Sequence, residues 1–174
     1  MRQPGFTIRF IIMLIVQICI CNFFRLSQYV TLTILPVIIL LLPIRRSTTF
    51  AMFLAFLSGL LVDFLADGMP GLNALALVPV AFLKNGILRL VFGEEIFARK
   101  EDVSIQKQGA WKMSIAIIMA QALFLAIYIW TDGAGTRPEW FNLARFAASL
   151  ASGYVLSLLV TVIMTSQRAG SVKK

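Results

Sequence analysis

Apolar residues run along the chain in long blocks, separated by short joints that carry nearly all of the charge. A helix of about 20 apolar residues crosses a bilayer core, and six blocks approach that length: 6–24, 29–44, 48–66, 70–91, 111–130 and 140–164. The first has a basic start, like a signal peptide. No small-residue cleavage site follows, because the run ends Cys19-Ile20-Cys21-Asn22-Phe23-Phe24, so it is read as an uncleaved helix. The second block is short and holds Pro36 and Pro43, which predicts a kinked or incompletely spanning segment. Trp111, Trp130 and Trp140 fall at predicted helix ends, where indole rings prefer the headgroup layer. The pattern predicts an all-α membrane protein: a single integral membrane domain, 1–174, folded as a compact bundle of six transmembrane helices.

Composition narrows the class. Of 174 residues 59% are apolar and 14% charged, with a mean hydropathy of +0.87. Soluble domains average about 45–50% apolar and about 25% charged residues, so a soluble enzyme, a disordered chain and a nucleic-acid reader are all excluded as readings. The net charge of +8 does not point to DNA, because the basic residues occupy the joints. Arg2, Arg9, Arg45, Arg46, Arg89, Arg99, Lys100, Lys107, Lys112, Arg168, Lys173 and Lys174 fall on one side of a six-span layout. Only Arg25, Arg137 and Arg145 fall on the other, which predicts both termini in the cytoplasm. The longest polar stretch, 93–109, mixes signs around Ile96 and Phe97. It reads either as a connector on an anionic leaflet or as an interfacial helix that meets a cytosolic partner.

Candidate chemistry is sparse. The chain has no histidine, the commonest general base and metal ligand. Cys19 and Cys21 are two residues apart on a helix and so point in different directions. No catalytic set, metal site or cofactor is expected. The single carboxylate inside a predicted span is Asp63, and a charge there is costly enough to be informative. It belongs to a row in four-residue steps, Ala51, Ala55, Gly59, Asp63, Asp67, which keeps one slowly drifting face. The three small residues predict close approach of a neighbouring helix.

Depth selects a partner. Asp63 lies about 6 Å below the turn at Asp67, at about 1.5 Å per residue, and on the returning helix Asn73 and Ala74 lie at the same level. An Asn73 amide there can donate to the carboxylate. Lys84 lies about 21 Å below the outer end, which leaves about 15 Å to Asp63 and excludes a direct pair; its stem is expected to snorkel to the cytoplasmic headgroups. In the joint Asp67-Gly68-Met69-Pro70-Gly71, Gly68 suits a tight reversal and Pro70 can open the next helix. The constellation reads either as a lock that fastens a helical hairpin or as a small polar pocket that opens outward. On the last block Ala144, Ala148 and Ser152 form a small-residue row, with Ala147 and Ala151 beside it, which suits packing against a partner helix or within the bundle.

Two family patterns bear on these residues. Gly59-x-x-x-Asp63-x-x-x-Asp67 matches the second half of the CDP-alcohol phosphotransferase signature, but the first half needs acids and a glycine that 42–57 lacks. The stretch from Phe56 to Val91 resembles the rod shape-determining protein MreD family: Gly59-Leu60-Leu61-Val62-Asp63, then Gly68, then Gly71-Leu72-Asn73-Ala74-Leu75-Ala76. That resemblance implies a non-catalytic subunit of the bacterial cell-wall elongation complex, which supports rod shape and side-wall peptidoglycan synthesis. Implied partners are an MreC-like single-span protein, a SEDS glycosyltransferase with its transpeptidase and, through the complex, the MreB filament. The implied fold is similar to the substrate-binding subunits of ECF transporters. A substrate-capture subunit of a small-molecule transporter is the alternative function.

Overall fold

The computed structural model describes residues 4–23, 30–44, 46–67, 70–94, 109–133 and 137–170. Among them are six α-helices and no strand: α1 (Pro4–Phe23), α2 (Leu35–Leu40), α3 (Thr48–Val62), α4 (Leu72–Phe92), α5 (Ala110–Asp132) and α6 (Glu139–Gly170). A single π turn, Asp63–Asp67, continues α3 directly. Four helical stretches are long and apolar enough to cross a membrane, Thr48–Ala66, Leu72–Phe92, Ala110–Asp132 and Glu139–Ile163, and Thr7–Phe23 is apolar but shorter. These make the chain a multi-pass membrane protein. The polar stretch 93–109 falls largely on residues 95–108, outside the described residues.

Helices adjacent in sequence pack side by side: α3 on α4, α4 on α5 and α5 on α6. Ser47 starts α3 by accepting the Phe50 N–H on its hydroxyl at 3.3 Å, a side-chain N-cap. The outer surface is apolar, with Phe53, Phe64, Phe82 and Leu90 all exposed, as lipid contact requires. Trp111, Trp130 and Trp140 are exposed at helix ends.

The second segment departs from the six-span expectation. Its helix has six residues, about 9 Å at 1.5 Å per residue, too short to cross. It nevertheless sits in the middle of the bundle, packed on α4 and α5, with every residue from Ile34 to Leu42 buried. The approach to it, through Thr31–Ile34, is not helical. Non-helical backbone at membrane depth is tolerated only where protein satisfies its polar groups, and here side chains of four helices do so. Gln17 of α1 accepts the Ile34 N–H on Oε1 at 2.7 Å and turns its Nε2 toward the Leu32 carbonyl at 3.4 Å. Gln121 of α5 donates to the Thr33 carbonyl at 3.0 Å. Ser149 of α6 accepts the Thr31 N–H at 2.8 Å. Just past the C-terminus of α2, the Leu42 carbonyl accepts from Lys84 Nζ of α4 at 2.6 Å.

Lys84 therefore does not snorkel. It is 3% exposed and turns inward because α2 stops short and leaves carbonyls without helical partners. A cation at a helix C-terminus is also favoured by the helix dipole. The expectation of snorkelling failed because, although an incompletely spanning second block was foreseen, the carbonyls that such a block leaves free were not weighed as partners of Lys84.

Removing the Gln17 amide leaves the Ile34 N–H without its acceptor inside the bundle, at a cost of about 1–3 kcal/mol. Gln17→Leu is expected to lower the thermal midpoint in detergent clearly, whereas Ile15→Leu, on the exposed side of the same helix, leaves it within error. Equal midpoints for the two variants contradict this account of the buried segment.

Candidate functional site

The motif residues singled out from sequence meet at one place. Asp63 is fully buried, and its carboxylate is held from the start of α4. Oδ1 accepts the Asn73 side-chain amide at 2.9 Å and the Asn73 backbone N–H at 3.0 Å. Oδ2 accepts the Gly71 N–H at 2.9 Å and the Ala74 N–H at 3.3 Å. The backbone amides at a helix start have no intrahelical acceptors, and the dipole makes that end favourable for an anion. One carboxylate from α3 thus caps α4. Depth arithmetic put Asp63 and Asn73 level with each other, and the structure joins them by a hydrogen bond; the three backbone donors were not anticipated.

Local geometry explains how α4 comes close enough. Gly71 has φ +102°, in the left-handed region that costs glycine little, and it immediately precedes Leu72. Pro70 is therefore in the turn, one residue before that glycine, and is not the first residue of the helix. The left-handed step turns the chain so that the first amides of α4 face Asp63. On α3, an added Cβ at Gly59 would lie 2.5 Å from Ala74 Cα and 2.6 Å from its nitrogen, so only glycine permits this approach. Ala51 and Ala55 are buried along the same face, as small-residue packing in a membrane requires. Gly68 and the Asp67 side chain lie outside the described residues.

The π turn has its own tether. A π turn widens the helix and disturbs the regular hydrogen-bond ladder, and the Leu65 carbonyl accepts from Asn22 Nδ2 of α1 at 3.2 Å. The end of α1 is thereby attached to the segment that carries Asp63.

A second polar cluster, at the same end of the bundle, was not anticipated. Arg145 of α6 is 9% exposed and ion-paired with Asp132 of α5. Its Nε also donates to Thr31 Oγ1 at 3.3 Å, and the more exposed Arg137 approaches Asp132 at 3.4 Å. In the sequence Arg145 counts only as one of three basic residues on the outer side. A sequence signal for its burial existed: Asn142, Arg145, Ser149, Gly153, Ser157 and Thr161 recur at helical steps along α6, and all six are buried. The row proposed for packing lies elsewhere on that helix. Ala144, Ala147 and Ala151 are exposed, Ala148 and Ser152 half-buried, and the Ser152 hydroxyl bonds its own helix at the Ala148 carbonyl.

Chemically, the Asp63 site holds a carboxylate whose two oxygens are committed to four donors. Such an arrangement fastens two helices; it presents no free base. Among the described residues no three His, Cys, Asp or Glu side chains gather where a metal could sit. Cys19 is exposed, while Cys21 accepts from Gln17 Nε2. Comparison with family models, curated proteins and solved structures finds no match to this chain.

The glycine contact gives a discriminating pair. Gly59→Ala forces α3 and α4 apart and is expected to destabilise by about 1–3 kcal/mol, as overpacking does. Gly86→Ala, where a Cβ meets nothing within 4 Å, gains about 0.5–1 kcal/mol of helix propensity. Thermal unfolding in one detergent should move the two midpoints in opposite directions; movement together contradicts the close approach.

Proposed function

We propose that this chain is a non-catalytic membrane subunit of the bacterial cell-wall elongation complex, similar to the MreD family. It would be seated in the inner membrane with both termini cytoplasmic and the Asp63 end facing the periplasm. The observation that carries the reading is that the residues of the family-like pattern, Gly59, Asp63, Gly71, Asn73 and Ala74, converge on one contact. The division of basic residues between the joints supports the orientation.

In this reading the protein works by presenting rigid helix faces. Helix association in lipid rests on close packing and hydrogen bonds, because lipid offers no hydrophobic drive between helices. A hairpin locked by Asp63 holds α3 and α4 in fixed register, and so offers an unchanging surface to an MreC-like single-span protein and, through it, to the SEDS glycosyltransferase and its transpeptidase.

Deleting the gene from the cell that carries it tests the proposal. Rods are expected to widen and round, with less peptidoglycan inserted along the side wall, and a wild-type copy should restore both. Unchanged width and insertion under all growth conditions would overturn it. Saturable high-affinity binding of a small molecule by the purified protein would favour the transport alternative instead.

A further inference from the structure

We propose that the seam between α6 and the rest of the bundle is a water-accessible cleft that opens at the Asp63 end, with α6 as its moving wall. The inner side of the helix carries a polar row among apolar side chains: Phe146, Leu150, Tyr154, Leu156 and Leu158 pack against the core beside buried Val160. Asn142, Arg145, Ser149, Ser157 and Thr161 are all buried, and Leu143, Val155 and Leu159 of the same helix are exposed to lipid. The surfaces that the polar row meets are polar as well. Gln121 of α5 receives the Ser157 hydroxyl at 3.4 Å, and an added Cβ at Gly153 would lie 2.3 Å from its Nε2. Thr31 meets Ser149 and Arg145. By contrast α4 and α5 bury Leu77, Val80, Leu88, Met113, Ile117 and Phe124.

Parting an apolar interface exposes oil to water and is costly in proportion to area. Along the polar row of the α6 seam, parting trades protein hydrogen bonds for bonds to water, a nearly even exchange, so this seam costs less to open than a wholly apolar one. The span of α6 is also the least buried of the four, 28% against 33–50% for the others.

A second observation points the same way. Asn142 Oδ1 is buried without a hydrogen-bond partner, directly against Gly133, beside the Arg145–Asp132 pair. An unpaired buried carbonyl oxygen destabilises the closed seam, and a water that enters from this end supplies the missing donor. Arg145 and Asp132, which regain full hydration when parted, stand at the same mouth. Further along, Ser149 is about 6 Å and Ser157 about 18 Å beyond Arg145 at 1.5 Å per residue, so the two serines report on the cleft at increasing distance from its mouth.

The test uses the full chain with Cys19→Ala and Cys21→Ala, single new cysteines, and open membrane fragments exposed to a charged, membrane-impermeant methanethiosulfonate. Ser149→Cys is expected to react about tenfold or more faster than Val80→Cys, a fully buried position on α4, as local opening without global unfolding requires. Ser157→Cys should react more slowly than Ser149→Cys but above Val80→Cys, and lipid-facing Leu159→Cys should stay unreactive. Ser157→Cys disturbs only a 3.4 Å bond, and so decides the matter if Ser149→Cys fails to fold. Seam cysteines as slow as Val80→Cys, while exposed Trp140→Cys reacts, overturn the proposal. So does equal reaction of Val80→Cys, which makes the opening global.

Discussion

A carboxylate kept out of water survives only if protein donors replace its hydration, and the architecture depends on how Asp63 meets that requirement. Its four donors all come from Gly71, Asn73 and Ala74, so the charge and the unpaired amides at the start of α4 answer each other's need. Neither would be stable in lipid alone. Gly59 permits the approach, Gly71 sets its direction, and the π turn that carries Asp63 takes Asn22 of α1 as a further anchor. Once α4 is fixed at this end, its far half lies beside α2 and places Lys84 on the Leu42 carbonyl.

The same accounting governs the centre of the bundle. A six-residue helix with a non-helical approach would be intolerable facing lipid, yet Gln17, Gln121, Ser149 and Lys84 attend to its backbone from four different helices. The short segment thereby becomes the piece about which the longer helices are arranged. Two interfaces of opposite character result. The α3–α4 contact is tight, small-residue and held by a buried charge. The α6 contact carries a polar row beside its apolar side chains and leaves one acceptor unpaired. A membrane protein that must keep one surface constant and let another adjust gains from such a division.

Much of this was legible in the sequence, for physical reasons. Apolar length alone located α1, α3, α4, α5 and α6, because a bilayer fixes how long a span must be. Asp63 stood out as a lone acid in a span, and helical rise put Asn73 at its level. Gly59 was legible through its four-residue spacing from Ala55 and Ala51. Lys84 was misread because only Asp63 and the headgroups were weighed as its partners, and nothing local reveals that the second block stops after Leu40 and leaves the Leu42 carbonyl within reach. Pro36 and Pro43 warned of irregularity without giving its form. Gln17 and Gln121 were visible as amides in apolar runs, a costly choice that signals a buried partner. Finding that partner requires the fold, since Thr33 is 88 positions from Gln121. On α6 the alanine row drew notice because small residues mark helix contacts; the polar row from Asn142 to Thr161 was the stronger signal, since hydrogen-bonding groups must face away from lipid.

The most direct test of the Asp63 lock is a double-mutant cycle with Asp63→Ala, Asn73→Ala and the pair, read as unfolding free energies in one detergent or bicelle. The account predicts that both single variants are destabilised, Asp63→Ala the more, and that the energies fall short of additivity by about 1 kcal/mol, the coupling of a strong interhelical hydrogen bond in a membrane. Strict additivity, or an Asp63→Ala variant as stable as the parent, would contradict it.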